Sequence, residues 1–193
     1  MRNVAAVILA AGGSSRLGRP KQLLIFHGET LIRRSVRAAA GAGCDPVIVV
    51  VGNLGDTIQR ELRSTSTIVV ENPEWQRGLG TSVRRGLQEV GDSIDAVVLL
   101  TCDQPLVDKT LVAELITVHE KIRKPMVAAS YANTLGVPAL FDRSCFADLL
   151  ALPNDSGAKK LITSRPNDVA TVPFEQGAID IDTPEDFERL TAK

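Results

Sequence analysis

Six apolar runs of strand length recur along the chain: VAAVIL (4–9), PVIVVV (46–51), TIVV (67–70), DAVVLL (95–100), PMVAA (125–129) and VATV (169–172). They are rich in valine and isoleucine and show little in–out alternation. Strands of that kind must be covered on both faces, as in a parallel sheet flanked by helices. Segments of helical period lie between them. LIRRSVRAAAGAG puts Leu31, Ile32, Val36 and Ala39 or Ala40 on one stripe and ends on glycines suited to a C-terminal cap. LVAELITVHEKI aligns Val112, Leu115, Ile116, His119 and Ile122 in the same way. TPEDFERL (183–190) has a threonine cap, a proline at the first helical position and acids in the first turn. This alternation predicts an α/β fold, a three-layer sandwich with a mainly parallel sheet. With 193 residues and no repeat, long linker or low-complexity tract, one domain over 1–193 is expected.

Charge and cysteine usage exclude several partners. The formal net charge is −1, with acids and bases spread along the chain, so the basic stripe of a nucleic-acid binder is missing. No apolar run is long enough to span a bilayer. VAAVILAA has the composition of a signal-peptide core, but it is equally a buried first strand, and chemistry-bearing residues follow it directly. Cys44, Cys102 and Cys145 form no CxxC pair, which fits reduced thiols and an expected cytoplasmic location.

Ligands of such sheets bind beyond the carboxyl ends of the strands. The segments found there are AAGGSSRLGRPK, GNLGD, ENPEWQRGLGTS, TCDQP and IDIDTPED. The first is the richest. Gly13 to Gly18 has the G-x4-G spacing of a P-loop, but Arg19-Pro20-Lys21 follows in place of Gly-Lys-Ser/Thr, and proline obstructs the helix that a P-loop opens. The dinucleotide fingerprint GxGxxG is not supplied either. The physical content remains. Gly12, Gly13 and Gly18 permit φ > 0 and close approach of backbone N–H groups to an anion. Ser14 and Ser15 add hydroxyls, and Arg16 and Lys21 add positive charge. At an effective dielectric of about 20, a cation ~4 Å from a phosphate oxygen gains roughly 4 kcal/mol before desolvation. The loop therefore reads either as a triphosphate cradle or as a surface loop solvated by its bases.

LAAGGSSRLGRPKQLL (9–24) resembles the LAAG-x-S-x-R-(hydrophobic)-G-x-x-K signature of the MobA-like nucleotidyltransferases, and within them the molybdenum cofactor cytidylyltransferases. The resemblance continues in order. RGLGTSVRRGL is similar to their GMSxSLRxGL segment, CDQPLV to their central acidic motif, NDSGAKKLI to GDxGAR, and IDIDTPEDF to their closing motif. It implies a Rossmann-like, GT-A-like nucleotidyltransferase architecture. It also implies that Leu9, Ala10, Ala11, Gly12, Gly13, Ser14 and Lys21 wrap a nucleoside triphosphate.

Asp103 follows the strand DAVVLLT, and Pro105 stops further pairing, so the carboxylate is expected at the carboxyl edge of the sheet. Asp180 and Asp182 alternate with Ile179 and Ile181, which reads as another strand end before a capped helix. In nucleotidyl transfer Mg²⁺ bridges phosphate oxygens and is held by one or two carboxylates. The resemblance implies that role for Asp103, and related nucleotidyltransferases suggest it for Asp182. Asp182 also has a plain role in favouring the dipole of the helix that follows, and Asp180 has no assigned role. Gly80, Thr81 and Ser82 open the helix VRRGLQEV and form a second potential nucleotide contact. Gly80 departs from the family's serine. Asp155 and Ser156 read as ligands or as simple caps of GAKKLI.

The implied reaction is Mg²⁺-dependent transfer of a nucleoside monophosphate to molybdopterin with release of pyrophosphate. Arg16 would neutralise the pyrophosphate, Lys21 the α-phosphate region, and Asp103 with Asp182 would hold the metal. CTP is favoured over GTP because LAAG resembles the cytidylyl branch, and a molybdoenzyme is the implied downstream partner. Val137, in Gly136-Val137-Pro138, stands where such enzymes often have histidine. That substitution leaves another phosphorylated acceptor open, a sugar phosphate or methylerythritol phosphate. A non-catalytic cofactor carrier is the competing reading. His27, His119 and Cys102 read as structural, and Trp75 as either a ligand cover or loop packing.

Overall fold

The computed structural model describes residues 3–192. Seven strands form the main sheet: β1 (Val4–Ala10), β4 (Val47–Val51), β5 (Thr67–Glu71), β6 (Ala96–Thr101), β7 (Met126–Tyr131), β8 (Thr134–Asp142) and β9 (Val169–Pro173). Their order is β5-β4-β1-β6-β8-β7-β9, and β2 (Ile25–Phe26) with β3 (Glu29–Thr30) makes a separate small hairpin. All neighbours in the large sheet run parallel except β8, which is antiparallel to both β6 and β7.

The unalternating runs are explained by cover on both sides. Ala6, Ile8 and Ala10 of β1 join a core with α1 (Leu31–Gly41), α2 (Gly55–Glu61) and α4 (Lys109–Ile122). Val7 and Leu9 join a second core with α3 (Leu79–Leu87), α5 (Phe146–Leu150) and α6 (Lys159–Ser164). The mainly parallel three-layer sandwich is therefore present. Helix α3 reaches the sheet closely because Gly86 has no side chain. A Cβ there would collide with Val7 and lie 2.9 Å from Val50 Cγ2. Gly86→Ala is expected to destabilise the protein by about 1–2 kcal/mol, overpacking outweighing the helix propensity gained. Urea denaturation measures this, and an unchanged midpoint contradicts the close approach of α3 to the sheet.

Three expectations need correction. The antiparallel β8 was not among the six runs, because Gly136 and Pro138 interrupt its pattern. The β7–β8 register moves from Ala128↔Ala139 to Ala129↔Gly136, so Val137 and Pro138 bulge from that ladder and the missing proline N–H breaks no pair. Second, Ile179–Asp182 is not a strand end. β9 stops at Pro173 and a 3-10 turn over Glu175–Ala178 follows; the Ile179 N–H closes that turn on the Gln176 carbonyl at 3.0 Å, and the Ile181 N–H donates to the Asp103 carbonyl at 2.9 Å. Third, Ile122 is 55% exposed: it is the last residue of α4, whose buried stripe ends at His119.

The closing helix α7 (Pro184–Thr191) starts as the sequence predicts. Thr183 caps it in a reciprocal capping box with Asp186, and Pro184 opens its first turn. A small third core of Leu17, Leu24, Phe26, Leu31 and Ile181, with Phe187 and Leu190 packed on it, ties this C-terminal segment to the glycine loop.

Candidate active site

Strands β1 and β6 lie side by side with Leu9 opposite Thr101, and the chain leaves β1 toward β4 before returning to β6. This is the topological switch point at which α/β sheets bind ligands. The loop after β1 and the turn after β6 therefore share one edge.

The glycine loop is braced from below. Buried Gln22 donates its side-chain amide to the carbonyls of Ala10 at 2.7 Å and Gly12 at 3.0 Å. The Lys21 N–H donates to Ser14 Oγ at 3.1 Å, and the N–H groups of Leu17 and Gly18 donate to the Ser14 carbonyl. The left-handed backbone falls at Ser14 (φ 51°) and Gly18 (φ 69°). Gly12 and Gly13 do not adopt it, contrary to the sequence expectation. Gly12 instead leaves open space where a side chain would be, and Gly13 leaves room for Trp75.

At this edge four charged residues meet. The third core holds the loop against the 180–182 segment, and the Ile181–Asp103 backbone bond brings that segment to β6. Lys21 Nζ then lies 3.1 Å from Asp103 Oδ2 and 2.6 Å from Asp182 Oδ1. Arg16 Nη2 lies 2.7 Å from Asp182 Oδ2. Lys21 is buried, whereas the Arg16 side chain is 69% exposed at the rim. Burial alone would pull the Lys21 ammonium down, but Asp103 and Asp182 outweigh it and hold its pKa above the usual value. The hydrogen bond from Lys21, with Arg16 beside it, holds the Asp182 carboxyl below the usual range. The backbone of Asp182 is itself fixed by Asp186 Oδ2, which accepts its N–H at 3.2 Å.

Asp180 differs. Burial, then repulsion from Asp103 and Asp182, pushes its carboxyl above the usual 3.8. An acid with a raised folded-state pKa contributes stability below its unfolded value and loses it as pH rises through the folded value. Asp180→Asn is therefore expected to raise the thermal midpoint at about pH 7, with the gain fading toward about pH 3.5. Thermal denaturation at both pH values measures it; a gain that persists undiminished in acid contradicts the charge repulsion.

Beside Asp103 opens a cleft of about 400 Å³ lined by Thr101, Gln104, Tyr131, Val137 and Asp180 among others. Gln104 donates to the carbonyls of Val137 at 3.2 Å and Gly177 at 3.0 Å, and the Tyr131 hydroxyl donates to the Val137 carbonyl at 3.1 Å. Val137 thus stands in the cleft wall. Cys102 is buried, its thiol pushed up to about 12 by burial, which makes it inert at neutral pH. His119 is buried with Nε2 3.3 Å from Asp142, and His27 sits in the β2–β3 turn at φ 51°.

Gly80, Thr81 and Ser82 are placed at the start of α3, buried and internally partnered. The Gly80 N–H donates to the Asn154 carbonyl at 2.9 Å, and Asn72 Nδ2 donates to Thr81 Oγ1 at 2.8 Å and Ser82 Oγ at 3.0 Å. A Cβ at residue 80 would collide with the Pro153 carbonyl, so glycine is what fits there. Arg84 clamps the same segment through the Leu152 carbonyl and Asn154 Oδ1. Neither Asp155 nor Ser156 caps α6, whose N-cap is Ala158.

Gln22, Gln104 and Tyr131 escaped the sequence reading. The two glutamines lie inside the motifs that carry the family likeness, but their partners are backbone carbonyls that only the fold brings close. Among the described residues no three His, Cys, Asp or Glu side chains form a metal-holding group. The facing carboxylates of Asp103 and Asp182 nevertheless already share one cation, and hard oxygen donors of this kind fit a divalent ion completed by phosphate oxygens. Among the described residues no helix is long and apolar enough to cross a membrane.

The comparisons with known proteins agree with this geometry. Residues 6–169 match the family described as the MobA-like NTP transferase domain. Nicotine blue oxidoreductase of Paenarthrobacter nicotinovorans is 28% identical over 198 residues, covering 97% of this chain and 96% of its own. Molybdenum cofactor cytidylyltransferase of Escherichia coli strain K12 is 27% identical over 195 residues, covering 100% and 97%. The crystal structure of Rv0371c from Mycobacterium tuberculosis H37Rv has a TM-score of 0.84 and 31% identity, covering 100% of this chain and 98% of that one. Its complex with manganese has a TM-score of 0.80 and 30% identity, covering 100% and 99%.

Proposed function

The chain belongs to the MobA-like NTP transferase family and is a nucleotidyltransferase by that membership; from this premise we propose that it transfers CMP from CTP to the terminal phosphate of a molybdopterin-type acceptor. The observation that carries the proposal is the cluster of Lys21, Asp103, Asp182 and Arg16 beneath the glycine loop. A carrier that only delivers the cofactor has no need of it.

An acceptor phosphate oxygen attacks the α-phosphorus, the bond to the β-phosphate oxygen breaks, and pyrophosphate leaves. The attacking group is already an oxyanion, so positioning and charge neutralisation carry the rate. The backbone from Leu9 to Ser14 cradles the triphosphate, with open space over Gly12 for close approach. Gly80, Thr81 and Ser82 back that site through Asn72. Lys21 neutralises the α-phosphate, and Arg16, at the rim, the departing pyrophosphate. Asp103 and Asp182 would hold the divalent ion, proposed as Mg²⁺. When bound, that ion neutralises charge on the phosphate oxygens, and a relative's complex with manganese supports divalent metal use. The acceptor occupies the cleft between Thr101 and Asp180.

One domain over residues 1–193, a cytoplasmic setting and a molybdoenzyme that takes the product complete the proposal. Val137 offers no hydrogen bond from its side chain at the cleft wall, which supports a second acceptor class, a sugar phosphate or methylerythritol phosphate. The redox name of the Paenarthrobacter relative supports a further reading, in which the same loop holds a nucleotide cofactor. Mass spectrometry after incubation with CTP, Mg²⁺ and molybdopterin tests the proposal. The expected product is the acceptor carrying CMP. An unchanged acceptor, from protein that binds CTP, contradicts the molybdopterin assignment.

A further inference from the structure

Trp75 bridges two of the loops at the carboxyl edge of the sheet. A Cβ at Gly13 would lie 2.9 Å from Trp75 Cη2 and 3.1 Å from Cζ3, and a Cβ at Gly52 would lie 3.0 Å from Trp75 Cδ1 and Cγ. The benzene edge of the indole therefore rests on Gly13, in the loop after β1, and the pyrrole edge on Gly52, directly after β4. Gly52 is itself pressed against that first loop, since its Cβ would come 2.8 Å from the Ala11 carbonyl.

Neither glycine has the positive φ that would explain the residue type by backbone conformation. At residue 13 the indole is what an added methyl would meet within 4 Å among the described residues beyond its chain neighbours. The ring cannot give way easily, because it is rigid and its other edge is seated on Gly52. Its base is fixed too. Trp75 lies in a 3-10 turn (Trp75–Arg77), its N–H donates to the Asn72 carbonyl at 3.3 Å, and Asn72 is anchored to β4 through Val51 and to α3 through Thr81 and Ser82.

We propose that Trp75 is a positioning residue for the nucleotide loop: its indole is the wedge that sets Gly13 and its neighbours at the height where their backbone meets the triphosphate. The inference rests on the nucleotidyltransferase reading of that loop. Trp75 is the only tryptophan of the chain, so its emission reports on the loop directly. Nucleotide that draws the loop inward changes the surroundings of the indole.

Two experiments on the full chain separate the wedge from the reading beneath it. The first is a cycle of Gly13→Ala, Trp75→Ala and the double variant, followed by thermal denaturation without nucleotide. Gly13→Ala is expected to lower the midpoint in the presence of Trp75 and to have little effect in its absence; additive losses overturn the wedge whatever the loop binds. The second is titration of wild type with CTP and Mg²⁺, followed by tryptophan emission and by calorimetry, with steady-state kinetics of Trp75→Ala and Trp75→Phe. Emission should change along the calorimetric isotherm. Trp75→Ala should raise the KM for CTP roughly 10-fold, as misplacement of a binding group does, without changing the KM for the acceptor, and Trp75→Phe should recover most of the loss. Calorimetric binding with flat emission and an unchanged KM in Trp75→Ala overturns the positioning role. No calorimetric binding to wild type removes the nucleotide reading, while the thermal cycle still decides whether the wedge exists.

Discussion

Replacing Lys21 with alanine should lower kcat by roughly 10²-fold or more, the cost of losing one preorganised electrostatic group at a reacting centre. Its ammonium is the only charge that touches both Asp103 and Asp182 among the ion pairs of the described residues. Without it, Asp103, Asp180 and Asp182 face one another with Arg16 alone beside Asp182. Burial, and then that repulsion, already push the Asp180 carboxyl above its usual value. Lys21→Arg is not expected to restore the rate, because a planar fork does not fit a point shared by two carboxylates. Some stability is lost too, but less than the roughly 3–5 kcal/mol of a broken fully buried pair, since both carboxylates stay in contact with solvent. The folded-state pKa of Lys21 is raised, so the ion pairs contribute fully below the unfolded value of 10.5 and fade only as pH rises through the higher folded value. At neutral pH the kinetic loss is therefore a loss of charge at the site and not of its protonation. Steady-state kinetics at saturating CTP measures it; turnover within a few-fold of wild type removes Lys21 from the chemistry.

Asp103→Ala should lower kcat by a similar roughly 10²-fold while leaving affinity for the nucleotide nearly intact, because the loop's backbone does not pass through Asp103. The two variants share one ion pair, so they should not add. The Lys21→Ala, Asp103→Ala double variant is expected to fall little further than the worse single variant, as residues acting as a unit do. Losses that multiply in full would mean that Lys21 and Asp103 act separately, against the geometry that joins them.

Much of this site could be read before the fold was known, for a physical reason. A parallel sheet sends the polar residues that follow each buried strand to one edge, so Asp103 and Asp182 stood out as charges just past an apolar run or just before a capped helix, and Lys21 as a base of the glycine loop after the first strand. What could not be read was which of them touch. The Lys21–Asp182 contact depends on Leu17, Leu24 and Ile181 sharing a small core, and no spacing in the sequence encodes that. β8 was hidden because Gly136 and Pro138 break its periodicity, although the bulge against Ala128 and Ala129 lets the strand pair on both sides. Glycine was the least legible residue. At Gly12 and Gly13 it looked like a licence for positive φ, yet Ser14 takes that conformation in the loop. Gly13 is small for Trp75, and Gly80 for the Pro153 carbonyl. At Gly13 and Gly80 the reason is a neighbour far away in sequence.

The central claim is tested most directly by pyrophosphate release from purified protein with Mg²⁺ and molybdopterin, comparing CTP, GTP, ATP and UTP one at a time. Release with CTP, lost in Lys21→Ala and Asp103→Ala, is the predicted result. Silence with all four nucleotides, from folded protein that still binds CTP, would contradict the proposed transfer to molybdopterin.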